Sequence, residues 1–145
     1  MQIQNEALVL IADGRKLLFL RNKGDAAIPD LRVESHHEQD NPRDRDQSGD
    51  APSRAFSSVV TARSATEETD FHQLKEDRFA VEAAEMLRKR VLADDFEQLI
   101  IAAPPGTLSE LRKHYHKEVE QRLTGEVSED LTNMPIPDIE RVLTE

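Results

Sequence analysis

The apolar residues fall in separate blocks, and the spacing inside each block limits what it can form. Glu6-Ala7-Leu8-Val9-Leu10-Ile11-Ala12-Asp13-Gly14 is an unbroken apolar run closed by a turn pair. That is the pattern of a strand buried on both faces. Asp13-Gly14 predicts a tight turn in which glycine supplies a positive φ. Arg15-Lys16-Leu17-Leu18-Phe19-Leu20-Arg21 then returns as a second strand, giving a hairpin. Asn22-Lys23-Gly24-Asp25 is the next turn. Leu31-Arg32-Val33-Glu34-Ser35-His36 alternates apolar and polar, which predicts a half-exposed third strand.

At His37 the pattern stops. His37 to Arg54 holds no large apolar residue, carries Pro42, Gly49 and Pro52, and alternates charge through Arg43-Asp44-Arg45-Asp46. It reads as a long polar loop. Ala55 to Thr69 fits no single period, although Phe56, Val59 and Val60 could dock it on a core. From Asp70 to Ala93 the period becomes helical: Phe79, Ala80, Ala83, Ala84, Leu87 and Val91 recur at three and four residues. Asp70 and Gln73 have capping-box spacing at its start. Phe96 to Ala103 is a second fully buried strand, broken by Pro104-Pro105-Gly106. Thr107-Leu108-Ser109-Glu110 reads as a capping box opening a helix to about Leu123. Gly125-Glu126-Val127-Ser128 reads as a short last strand, and Asp138 to Leu143 as a terminal helix. Early strands joined by short turns pair antiparallel, and strands joined through helices pair parallel. The expected fold is α/β, a mixed sheet of about five strands with helices packed on it, in one domain over 1–145.

Charge and composition narrow the function. Lys and Arg total 19 against 29 Asp and Glu, a net charge of −10. So acidic a chain does not offer a broad nucleic-acid surface, which needs clustered Lys and Arg. Cysteine is absent, which excludes disulfides, thiolate nucleophiles and Cys-type metal sites. No apolar run reaches membrane-helix length, and the N-terminus lacks the basic start and apolar core of a signal peptide. A cytoplasmic location is expected.

Five pieces of sequence then carry a resemblance. They are Ala12-Asp13-Gly14-Arg15, Arg43-Asp44-Arg45-Asp46-Gln47-Ser48-Gly49-Asp50, Asp77-Arg78-Phe79-Ala80, Leu99-Ile100-Ile101-Ala102-Ala103-Pro104-Pro105 with Leu108-Ser109-Glu110-Leu111-Arg112, and Glu129-Asp130-Leu131-Thr132. In this order they resemble the host-attachment proteins of bacteria, which are grouped with bacterial relatives of the archaeo-eukaryotic peptide-release factors. The resemblance implies a ribonuclease H-like fold. It implies a non-enzymatic binding protein contributing to attachment to host cells, or alternatively a ribosome-associated factor. The release factors carry Gly-Gly-Gln before the long helix; the comparable stretch here is Gln47-Ser48-Gly49-Asp50-Ala51-Pro52.

Candidate chemistry is sparse. Arg43, Arg45 and Arg54 can make bidentate contacts to phosphate or carboxylate, and with Gln47 they are the expected partner-binding residues. The partner would be a protein or a ribosomal component; no cofactor and no metal is expected. Asp13 closes the first strand and is either a turn residue or a ligand residue. The strand Leu99–Ala103 has no acid to join it in a two-metal site. Thr107 begins a helix after a buried strand, where a capped turn or a small anionic ligand would both fit. His36 and His37 are adjacent in a strand and point to opposite faces. His114 and His116 lie about 200° apart on a helix. His114 is expected to pair with Glu110 or Glu118.

Overall fold

The computed structural model describes residues 1–39 and 74–145. Its elements are β1 (Leu8–Ala12), β2 (Lys16–Asn22), β3 (Leu31–Glu38), a helix α1 over 74–92, β4 (Leu99–Ala102), α2 (Pro105–Arg112), α3 (Lys117–Arg122), β5 (Leu123–Val127) and α4 (Ile136–Thr144). The strands form one sheet in the order β3-β2-β1-β4-β5. β1 pairs antiparallel with β2, and β2 with β3; β1 with β4 and β4 with β5 are parallel. This is the α/β mixed sheet, antiparallel at its start, that the sequence implies.

The apolar runs of β1 and β4 occupy the sheet centre, and every residue of both strands is buried. Alternate side chains supply two cores. Leu8, Leu10, Leu17, Phe19, Leu99 and Ile101 face α1, α2 and α3, while Val9, Ile11, Leu20 and Ile100 face Ile3, Leu131 and α4. α1 presents Ala80, Ala83 and Ala84 between Phe79 and Leu87, so small side chains let it approach the sheet closely. α4 lays Ile139 and Leu143 on the other face.

Several expectations change. Gly14 does not adopt a positive φ. The β1–β2 turn is held instead by the Asp13 carboxylate, whose Oδ1 accepts the N–H groups of Arg15 and Lys16, each at 2.7 Å. Such an Asx turn needs no left-handed residue. β3 runs two residues past His36, because an edge strand keeps its backbone pairing while its side chains face solvent. The box at Thr107 does not form. α2 opens two residues earlier, at Pro105, without a side-chain cap, since proline at N1 presets φ and lacks the N–H that needs capping. The expected helix to Leu123 is two helices: it breaks after Arg112 and restarts with His116 as the cap of α3. The Asp70–Gln73 cap and the stretch from Asp40 to Thr69 lie outside the described residues.

Candidate functional site

Four of the five quoted motif pieces meet at the C-terminal ends of β1 and β4. The β1–β2 turn brings Asp13, Gly14 and Arg15 there. Asp13 Oδ2 lies 3.2 Å from the Thr132 hydroxyl, which is also 2.5 Å from Asp130 Oδ1. Asp130 accepts the Thr132 N–H as well, at 3.0 Å. A hydroxyl has one proton, so Thr132 satisfies one carboxylate at a time. Lys16 Nζ donates to Asn133 Oδ1 at 2.7 Å and ties the same turn to the same loop. Thr132 is buried.

Beside this cluster a cavity of about 260 Å³ is lined by Gly14 and Thr107, with Glu76, Asp77 and Glu110. Asp13 and Thr107 are therefore at the same end of the sheet, but Asp13 turns to Thr132 and does not share the cavity. Three carboxylates in its lining make it a poor seat for the anion that a helix start attracts. Glu110 is engaged by Lys113 at 3.0 Å and by His114 at 3.6 Å, so His114 pairs with Glu110, one of its two expected partners. Glu76 lies against Gly14, where a Cβ would come within 2.6 Å of its Cδ.

The chain on both sides of 40–73 reaches this end. The Gln39 N–H donates to the Arg15 carbonyl at 2.6 Å, and Glu76, near the start of described α1, rests on Gly14. Arg43, Arg45, Gln47 and Arg54 fall between these points in sequence and outside the described residues. Among the described residues no three His, Asp or Glu side chains form a group that could hold a metal. His36 and His37 are exposed on β3. No helix among the described residues is long and apolar enough to cross a membrane.

Asp13 thus acts on its own turn. Asp13→Ala is expected to cost about 1–2 kcal/mol, the worth of hydrogen bonds to a charged acceptor. Asp13→Asn keeps Oδ1 as the acceptor and offers Nδ2 to Thr132, so it is expected to stay within about 0.5 kcal/mol of wild type. Thermal unfolding of the pair checks this.

Sequence reasoning missed a highly connected buried residue at the opposite end of the sheet. Arg21 of β2 has a side chain only 5% exposed. Its five N–H groups reach Glu34 Oε2 (3.2 Å) and Oε1 (3.3 Å), Asp95 Oδ2 (2.8 Å), and the carbonyls of Glu6 (3.1 Å) and Asp95 (2.9 Å). Arg90 of α1 joins Glu34 at 2.9 Å and Asp95 at 3.0 Å, with its guanidinium 4.3 Å from the centre of the Phe19 ring. Glu34 is the extra residue of a β-bulge, because Phe19 pairs Ser35 while Leu20 pairs Val33. Burial alone would raise the Glu34 carboxyl, but hydrogen bonds from Arg21 and Arg90 outweigh it and hold it below its ordinary range. A lone Arg ending an apolar run reads as a surface residue, and nothing local marks it otherwise.

No curated protein matches the chain. A family model does: that of bacterial archaeo-eukaryotic release factor family 12, over residues 6–143. The match takes in all five strands of the sheet and the helices on both of its faces. The chain belongs to bacterial archaeo-eukaryotic release factor family 12.

Proposed function

We propose that this protein is a ribosome-associated factor that binds without the Gly-Gly-Gln chemistry of the release factors. The observation that carries this reading is the family match over residues 6–143. The chain contains no Gly-Gly pair, so peptidyl-tRNA hydrolysis by that tripeptide is not part of the proposal. The contacts would come from Arg43, Arg45, Gln47 and Arg54; Asp13 holds the β1–β2 turn, and the carboxylates beside Thr107 leave that cavity out of the phosphate contact. Those arginines offer the forked donors that phosphate takes, and the acidic remainder of the chain confines such contact to a small area. The protein would act as a single domain in the cytoplasm, without a cofactor. Nothing in the family match or in the geometry favours attachment to host cells, so that reading is set aside.

Sedimentation with ribosomes at moderate salt tests the proposal. The wild type is expected in the ribosomal pellet. Arg43→Ala with Arg45→Ala is expected to weaken binding and to flatten its dependence on salt by about two phosphate contacts. Absence of the wild type from ribosomal fractions overturns the reading. Undiminished binding of the double variant overturns only the assignment of the surface.

A further inference from the structure

The geometry points to a pH-sensitive joint between α2 and α3, in which neutral His116 caps α3 and protonated His116 releases it. His116 precedes the first residue of α3 with φ −66° and ψ 147°, and its Nδ1 accepts the Glu118 N–H at 3.0 Å. That bond requires a lone pair on Nδ1. A neutral ring carrying its proton on Nε2 has one, and an imidazolium has none. The usual capping residues keep their acceptor at all pH values above the carboxylate range; histidine loses its acceptor where imidazole titrates.

The charges around the ring favour the exchange once the pH falls. Glu118 and Glu120 occupy the first turn of α3, and Glu85 of α1 is near enough to attract a protonated ring. Glu85 is held low first by its hydrogen bond from Arg88, with Lys89 and His116 adding smaller attractions. Lys117 and His114 stand on the other side of the balance. A protonated ring that leaves the cap gains carboxylate partners in place of an N–H. α3 has only six residues and a single buried one, Val119, so its first turn leans heavily on the cap. The turn ahead of it exposes Lys113 and His114 and rests Tyr115 against the core. Its order then depends on pH in the range where imidazole titrates.

The test follows the His116 ring and the Glu118 amide together by NMR from about pH 8 to about pH 5. The Glu118 amide is expected to shift with the midpoint of the His116 ring, and its protection against exchange to fall about fivefold across that step, the factor one cap is worth. His116→Asn supplies a non-titrating acceptor and should keep Glu118 protected with no step. A Glu118 amide that stays put while the ring titrates overturns the inference. So does the same step in His116→Asn.

Discussion

Arg21→Met is expected to destabilise the protein by about 3 kcal/mol, read as a lowered urea midpoint with an unchanged slope. The guanidinium is nearly sealed from solvent and has every N–H bonded. Methionine of similar length fills the space but leaves two carbonyl oxygens without their donor and removes one of the two cations from Glu34 and Asp95. Removing one member of a buried ion network costs about 3–5 kcal/mol. The lower figure applies here because the two carboxylates keep Arg90 and remain 31% and 40% exposed. The loss falls at a junction of the fold, since Arg21 joins β2 to the bulge of β3, to the chain entering β1 and to the segment between α1 and β4.

The same variant should lose part of its acid sensitivity. The folded-state pKa of Glu34 lies below its ordinary 4.5. The stability this supplies is complete above that value and disappears as the pH falls through the folded-state pKa. Without Arg21 the carboxyl retains only the Arg90 bond, so the fall in stability on acidification should be shallower in the variant than in the wild type.

The two sites differ in how far they could be read from residues alone. The sheet was legible because β1 and β4 lie at its centre, where burial on both faces demands unbroken apolar runs. The length of β3 was not, because an edge strand is held by backbone pairing that His37 and Glu38 do not advertise. The break between α2 and α3 was hidden for a related reason. Leu111 and Val119 keep a helical spacing on both sides of it, and the histidine that caps α3 is not a usual capping type. At the C-terminal ends of β1 and β4 the turn at Asp13 was readable, whereas its approach to Thr132 joins residues 119 apart. Arg21 was invisible because its partners are scattered over three segments. Tertiary convergence of this kind leaves no period in the sequence.

Asn22→Ala is expected to be as damaging as the loss of Arg21, about 3 kcal/mol, although it removes no charge. Asn22 is fully buried at the end of β2. Its Nδ2 donates to the carbonyls of Ile3 (2.7 Å) and Gln4 (3.1 Å), and its Oδ1 accepts the N–H groups of Gly24 (2.9 Å) and Asp30 (2.8 Å). One amide thereby holds the N-terminal segment against the β2–β3 turn and closes both sides of that turn. The sequence marks Asn22 only as a turn residue, which accounts for its acceptor and not for its donors. Alanine leaves the Ile3 carbonyl and two turn N–H groups without partners. Asn22→Asp discriminates between the two halves of the side chain. It restores the acceptor but faces the carbonyl oxygens of Ile3, Gln4 and Asp25 with an anion, so it should be no more stable than alanine near neutral pH. If Asn22→Asp instead recovers wild-type stability, only the acceptor matters and the bonds to Ile3 and Gln4 contribute nothing. Urea unfolding of both variants at neutral pH separates these outcomes.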